Sequence, residues 1–221
     1  MSSRTLFRGI MFAIRRPRLA LFITGVVLVI PAAIFIYMGV RYVIGDLNRV
    51  DLNSPDCDLA SIENYNRVSG NTYKAWGNFY IPASDGSKIY YYIVPQFDDD
   101  SDPQYIEKVL VVKVEPEYCT IWNTVSDHTK QWFSHLSQKP MTPIQIDGYA
   151  HEMSGIQYSY AMDYLQNIGF SYSNAEKVLV PYFVADNSSA LYTTFTAGGV
   201  FALISIICFG IWFALGANFR D

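Results

Sequence analysis

Residues 20–39 read ALFITGVVLVIPAAIFIYMG, twenty consecutive residues without a charged side chain. At about 1.5 Å of rise per residue, a helix of this length matches the hydrocarbon core of a bilayer, which is about 30 Å thick. A cleaved signal peptide is the alternative, because arginines precede the apolar run. The apolar region of a signal peptide is usually only about 7–15 residues long and is followed by small residues. This run is longer and ends in Tyr37, Met38 and Gly39, so a retained transmembrane helix is favoured, in which Pro31 can introduce a kink.

A second apolar segment lies near the C-terminus. No charged side chain occurs between Asp186 and Arg220, and residues 197–215 read AGGVFALISIICFGIWFAL, which is long enough to cross a bilayer. Two transmembrane helices are therefore predicted. The predicted organisation is a basic N-terminus (1–19), the first span (20–41), a connector (42–63), an exterior domain (64–186), a membrane-proximal segment with the second span (187–217) and a short tail (218–221).

The arginines predict the orientation in the membrane. Five cations and no acidic residue precede the first span, and segments rich in Lys and Arg stay on the cytoplasmic side. Two crossings return the chain to the same side. A multi-pass plasma membrane protein with both termini cytoplasmic and the central domain outside is expected. The five cations are Arg4, Arg8, Arg15, Arg16 and Arg18.

The exterior region is acidic. Residues 42–192 contain nine Lys and Arg against nineteen Asp and Glu, a formal charge of −10, whereas the whole chain carries −4. Like charges repel, so neither nucleic acid nor anionic lipid headgroups are expected as ligands of this domain. The expected partners are the bilayer itself and other membrane proteins or a second copy of the chain.

The pattern of the exterior region predicts an α+β domain in the order β-β-β-α-β-α-β. Segments rich in aromatic and β-branched residues predict strands, and apolar residues at three- and four-residue steps predict helices over about 116–136 and 156–168. The sheet is expected to be mainly antiparallel and covered on one face by the two helices. Pro181 suggests an edge position for the last strand. The Asp147-Gly148 step suggests a bulge or turn. The predicted strands are 72–81, 88–94, 108–114, 144–149 and 178–184.

The exterior cysteines could form a disulfide. Cys57 and Cys119 are 62 residues apart, and Cys208 lies in the second span. A bridge closing this loop would stabilise the domain by about 3–4 kcal/mol in the loop-entropy model. Two unpaired thiols are an equal alternative, because the sequence does not show whether the side chains meet.

No residue is assigned to catalysis, to a cofactor or to a metal. His128 and His135 are two helical turns apart, about 10 Å, which is too far to share one ion. The acidic run from Asp98 to Asp102 lacks the glycine and glutamate of an EF-hand loop. Motifs for nucleophilic catalysis and phosphate binding are missing from the sequence, so an enzyme is the least favoured class.

Small residues recur along the second span. Gly198, Ala202, Gly210 and Ala214 fall at positions i, i+4, i+12 and i+16, and a stripe of small residues lets another helix approach closely. The stripe is a candidate contact with the first span or with a second copy. The alternative is that Gly and Ala are simply common in membrane helices.

Three segments of the exterior region carry a resemblance to a known family: KIYYYIVP at 88–95, VLVVKVEPEY at 109–118 and DYLQNIGF at 163–170. The chain resembles an uncharacterised family of two-span membrane proteins from Gram-positive, clostridia-like bacteria. Its acidic loop, Asp98–Asp102, departs from that family's pattern. The resemblance implies a membrane location but no activity. The expected function is a membrane-anchored extracytoplasmic binding or accessory module, with a structural subunit of a larger membrane complex and an extracytoplasmic enzyme as alternatives.

Overall fold

The computed structural model describes residues 17–54, 57–98, 105–186 and 189–217. The predicted basic N-terminus before Pro17, most of the acidic loop and the tail 218–221 lie outside the described residues. The chain forms two compact units, one containing both terminal helices and the other consisting of residues 42–188. The elements are α1 (Pro17–Leu47), β1 (Val50–Asp51), β2 (Arg67–Thr72), β3 (Gly77–Pro82), β4 (Lys88–Phe97), β5 (Ile106–Val114), α2 (Cys119–Phe133), β6 (Ile144–Glu152), α3 (Gly155–Asn167), α4 (Tyr172–Val178), β7 (Leu179–Ala185) and α5 (Ala190–Ala217).

The two terminal helices are long and apolar enough to span a membrane. They pack against each other along a seam of small residues on α1. Gly25, Ala32 and Gly39 are buried and spaced by seven residues, the repeat of helices that cross at a shallow angle. A Cβ atom added to Gly25 would lie 3.0 Å from the ring of Phe209, and one added to Gly39 would lie 3.0 Å from the ring of Phe195. Small side chains on α1 thus make room for large rings on α5.

The predicted stripe on α5 divides between two sides of the helix. Gly198 is buried against Ile36 of α1, whereas a Cβ added to Gly210 would meet open space. Ala202 is half-buried and Ala214 is exposed. Twelve residues make about 3.3 helical turns, so Gly210 is rotated by about 120° from Gly198. The four residues do not form one contact surface.

The 42–188 unit is built on a sheet of seven strands, counted over the described residues, in the order β1-β2-β6-β7-β5-β4-β3. Four neighbouring pairs are antiparallel, while β1–β2 and β5–β7 are parallel. The prediction of an α+β fold is therefore confirmed, whereas the sheet is mixed and has seven strands in the described residues instead of the five predicted. The strand order could not be read from local sequence, because β2 pairs with β6, and β7 with β5, across long stretches of chain.

The predicted strand over residues 72–81 is confirmed only in its second half, since residues 77–81 lie in β3 whereas Thr72 is the last residue of β2. β2 pairs with β6, while β3 forms the opposite edge of the sheet beside β4. Between them, the Ala75 N–H donates to Thr129 Oγ1 of α2 at 3.2 Å. Gly77 then adopts a φ of +133°, which is open to glycine. The chain leaves one side of the sheet and re-enters at the other.

The edge position predicted for Pro181 is also wrong, because β7 lies at the centre of the sheet. Val109 pairs with Leu179 and Val111 with Phe183, so β7 bulges around Pro181, where the missing proline N–H costs no ladder bond. Likewise, Asp147 and Gly148 lie within a continuous strand and form no turn. A Cβ added to Gly148 would lie 2.2 Å from the Ala185 carbonyl oxygen, which explains why this position is occupied by glycine.

Both faces of the sheet are covered, not one as predicted. On one side, the α2 face, Tyr92 packs with Trp122 and Val125 of α2. On the other, the α3 face, Tyr91 packs with Leu165 of α3, and α4 adds Ala175. The alternation of Tyr90, Tyr91 and Tyr92 between the faces follows the strand period of two.

In α2 and α3, some residues near the helix ends are exposed although their spacing predicted burial. The spacing of Ile156, Tyr160 and Leu165 predicts that they share one apolar face of α3. Ile156 and Tyr160 are exposed, however, and the buried residues are Ala161, Met162 and Leu165. The α-helical part of the 116–136 segment ends at Phe133, and Leu136 is exposed. The additional helix α4 was not predicted, because its seven residues are too few to show a period.

The segment predicted as a connector, 42–63, is folded against the domain in large part. Residues 42–47 are the last turns of α1, where the ring of Tyr42 contacts the rings of Tyr65 and Tyr149 edge to face. Leu59 and Ile62 are buried in the core on the α2 face. Because residues 51–58 are mostly acidic and polar, the sequence did not indicate that Leu59 and Ile62 would be buried.

Candidate binding groove

A groove opens in the sheet where the central strand β7 ends. The pairing of β7 with β6 stops at Ala185 opposite Tyr149, whereas β6 begins at Ile144. Gly148 still lies against the backbone of Ala185 and Asp186, whereas residues 144–147 of β6 pair with no residue of β7 in the described part of the chain. A cavity of about 490 Å³ lies here, between β6, the end of β5 and the start of α2.

The floor of the groove is apolar. Val112 and Val114 of β5 and Ile144 and Ile146 of β6 are each at most 5% exposed and line the cavity. Trp122 forms a buried part of the wall, and Ile121 beside it is 43% exposed. An apolar ligand group can therefore lose its contact with water here.

One wall of the groove is a strand edge. The Ala150 N–H donates to the Asn66 carbonyl at 2.9 Å, and the Ala150 carbonyl accepts from the Tyr65 N–H at 2.7 Å. Alternate residues of a strand direct their backbone groups to the same side, so Ile146 and Gly148 also face β2. The N–H and C=O groups of Gln145 and Asp147 face the groove, where no strand of the described chain pairs with them.

The rim of the groove carries more acidic than basic groups. Glu115 lies 3.6 Å from Lys113, and its side chain is 62% exposed. Asp186 is at the end of β7. A hydrogen bond with Glu117, the charge of that residue and the charge of Asp186 raise the pKa of Tyr118. The rim therefore presents a negative potential.

No family model matches the chain, and no curated protein matches it. The resemblance drawn from the sequence stays a prediction. The groove must be interpreted from its own geometry. Ligand pockets typically measure about 300–1,000 Å³ and combine an apolar lining with a few polar groups, and the groove has both properties.

A second cavity, of about 590 Å³, lies near the opposite end of the domain beside Cys57 and Gln96. The Gln96 side chain there accepts from the Leu59 N–H at 3.3 Å and donates to the Cys57 carbonyl at 3.1 Å. Its polar group is used to hold the 57–62 segment in place. We therefore favour the groove at the end of β7 as the binding site.

The two cysteines predicted as a possible disulfide are free thiols in the structure. The Cys57 carbonyl lies beside Gln96, and the Cys119 carbonyl accepts from the Tyr92 hydroxyl at 3.1 Å. Tyr92 and Gln96 are four residues apart on β4, a rise of about 13 Å. The cysteines contact different parts of that strand, and the bridge stays a prediction.

Among the described residues, no three His, Cys, Asp or Glu side chains are grouped so that they could hold a metal ion. His128 is exposed on α2, whereas His151 is half-buried beside Phe183. Burial and the charge of Lys113 lower the pKa of His151. The sequence missed the groove because its walls come from segments far apart in the chain.

Proposed function

We propose that this protein is a membrane-anchored binding module whose 42–188 domain lies outside a plasma membrane, with both termini in the cytoplasm. The two apolar terminal helices support the anchoring. The arginines ahead of the first span support the orientation. The domain itself is compact and has a core on each face of its sheet, as expected of a module that presents a rigid surface.

The groove at the end of β7 is the proposed binding site. The observation that carries this proposal is the combination, in one cavity of about 490 Å³, of a buried aliphatic floor with a strand edge that pairs with no strand of the described residues. An apolar floor supplies affinity, and a few directed polar groups supply orientation. A ligand that fills the groove would bury the floor and pair with the backbone of Gln145 and Asp147.

Site-specific photocrosslinking tests this function. A benzophenone amino acid replaces Ile121, which lines the groove, or Ile156, which is 64% exposed on α3. After irradiation of intact cells, we expect a discrete adduct from position 121 that is absent at position 156. The adduct should disappear when Val114→Trp fills the groove. Equal labelling at both positions, or labelling that survives Val114→Trp, would contradict a binding function of the groove.

A structural subunit of a larger membrane complex is the second candidate. Gly199 and Gly210 both have open space beside them and are eleven residues apart, about three helical turns, so they lie on one side of α5. Close approach of another helix is possible on that side. Gentle extraction followed by mass determination tests this candidate, and a fixed stoichiometric complex would favour it over the binding module.

A further inference from the structure

The outer edge of β3 pairs with no strand of the described residues. On its inner side the Ala83 N–H donates to the Ser87 carbonyl at 2.8 Å, and hydrogen-bonded positions alternate along an antiparallel ladder. Counting back from Ala83, every second residue of β3 therefore directs its backbone groups to β4. The residues between them direct theirs outward, and these are Asn78, Tyr80 and Pro82. Residues 57–98 are described without a gap, so the chain on both sides of this edge is known.

The opposite edge of the sheet is protected against pairing. β1 has only two residues, and beside it the Asn53 side chain accepts a hydrogen bond from the Asn71 N–H of β2 at 3.0 Å. Short edge strands and charged side chains are the usual means by which proteins prevent edge pairing. By contrast, β3 has six residues, GNFYIP, and none of them is charged. The one proline, Pro82, is at the end of the strand, where its missing N–H costs no bond to β4.

We propose that the β3 edges of two copies of this chain pair with each other, antiparallel across a two-fold axis at Tyr80, so that the two sheets become one. Each Tyr80 N–H then donates to the Tyr80 carbonyl of the second copy. Asn78 lies opposite Pro82 of the second copy, and its N–H donates to that carbonyl. Such an interface is isologous, because the same edge serves both copies. The proposal does not depend on the groove.

The charge of the domain favours a second copy at this edge. Residues 42–192 carry a formal charge of −10, so most faces of two copies repel each other. The uncharged β3 strand is a place where they can meet, whereas a basic partner would find no carboxylate on it. Tyr80 is 46% exposed, and across the axis its ring lies on the same face as the ring of its counterpart, an arrangement that stabilises sheets.

The proposed anchoring makes a contact of this size sufficient. One short strand pair buries less surface than the roughly 1,200 Å² of a stable soluble complex. Copies held in one membrane present their domains on the same side, which raises their effective concentration. We therefore expect pairing in membranes and not in dilute solutions of the 42–186 fragment.

Cysteine crosslinking in membranes tests the register, in a background without native cysteines. Two residues opposite each other in a hydrogen-bonded pair have Cα atoms about 5.5 Å apart, a separation that a disulfide spans. Tyr80→Cys should therefore crosslink to its counterpart. Asn78→Cys alone and Pro82→Cys alone should not, because each lies four residues, about 13 Å, from its counterpart along the strands. Coexpressed Asn78→Cys and Pro82→Cys chains should crosslink with each other. Tyr172→Cys, at a position that is 58% exposed on α4, is the control for random collision.

Variants of Tyr80 test the hydrogen bonds, with the crosslink between coexpressed Asn78→Cys and Pro82→Cys chains as the reporter. Tyr80→Pro removes the central donors but no bond to β4, and it should lower the yield about tenfold. Tyr80→Ser keeps the N–H and should retain most of the yield. Tyr80→Lys also keeps the N–H but places like charges opposite each other, and it should lower the yield. Near-ultraviolet circular dichroism of the purified chains checks the fold of each variant.

A yield for Tyr80→Cys no higher than for Tyr172→Cys, in membranes that retain the protein after a high-pH wash, would overturn the pairing and leave the anchoring intact. Similar yields for single cysteines at positions 78, 80 and 82 would also overturn it, because no antiparallel register allows all three. A full yield of the mixed crosslink in folded Tyr80→Pro and Tyr80→Lys chains would refute the backbone pairing.

Discussion

Arg67 and Asp147 form a two-point ion pair across the β2–β6 ladder. Arg67 Nε and Nη2 donate to the two carboxylate oxygens of Asp147 at 2.9 Å each. Arg67 Nη1 also donates to Asp46 at 3.2 Å, and the Tyr149 hydroxyl donates to Asp46 at 3.1 Å. This network joins the end of α1 to two strands, and burial together with Asp46 raises the pKa of Tyr149 to about 12.

Arg67→Met should destabilise the domain by about 1–2 kcal/mol, because charge-assisted hydrogen bonds to two carboxylates are lost. Arg67→Lys should recover only part of this loss, since an ammonium cannot reproduce the planar two-point contact. Urea unfolding measures both variants. Lys130→Met, on the exposed side of α2, is the matched control. Equal stability of Arg67→Met and the control would show that the network contributes nothing.

Acid should destabilise the domain partly through Asp147. The Arg67 guanidinium holds the pKa of this carboxyl below its usual range, which is near 3.9. A carboxyl whose pKa is lower in the folded state contributes stability above its unfolded pKa and loses it as the pH falls through its folded pKa. Urea midpoints between about pH 2 and 7 should therefore fall less steeply at the acid end in Asp147→Asn than in the parent. Asp163→Asn, at an exposed position of α3, is the matched control for the loss of one carboxylate.

The domain should need residues 42–63 to fold stably. Burial of Leu59 and Ile62 contributes about 1.5–3 kcal/mol for each side chain, a large share of a net stability of about 5–15 kcal/mol. A soluble 42–186 fragment is expected to show a cooperative thermal transition. A 64–186 fragment should melt at a much lower temperature or lack a transition. Identical melting of both fragments would show that the segment is only a connector.

The helix pair should be sensitive to bulk at Gly25 and insensitive at Gly210. A larger side chain at Gly25 collides with the Phe209 ring, whereas Gly210 borders open space. The stacked rings of Phe35 and Phe201, with centroids 5.8 Å apart, mark a site for a reporter crosslink between cysteines in Phe35→Cys and Phe201→Cys. Gly25→Leu should largely abolish this crosslink, and Gly210→Leu should preserve it. A loss of crosslinks between copies in Gly210→Leu would assign that side of α5 to self-association.

The orientation can be measured by labelling in intact cells with a thiol reagent that does not cross membranes. In a background without native cysteines, Ser87→Cys, in the exposed loop between β3 and β4, should react. Ser3→Cys should react only after the cells are permeabilised. The opposite pattern would place the domain in the cytoplasm.

Local patterns in the sequence predicted those elements whose character is set by near neighbours. Their content of aromatic and β-branched residues identified 88–94 and 108–114 as β4 and β5, and the uncharged runs identified the two long apolar helices, α1 and α5. Pairing partners depend on contacts far along the chain. For that reason residues 72–81 looked like one strand, and Pro181 suggested an edge although a bulge admits it to the centre. The groove is formed by strands that are distant in the sequence, so no local motif predicted it.

The central position of β7 also orders events during synthesis. Without β7, the sheet is two separate pieces, β1-β2-β6 and β5-β4-β3, each with an unpaired inner edge. Residues 179–185 are the last part of the domain to be made, directly ahead of α5. Non-local pairings of this kind form slowly, and until β7 pairs, the unpaired strand edges are prone to aggregation. The nascent domain therefore remains as two half-sheets until residues 179–185 have been synthesised, immediately before α5.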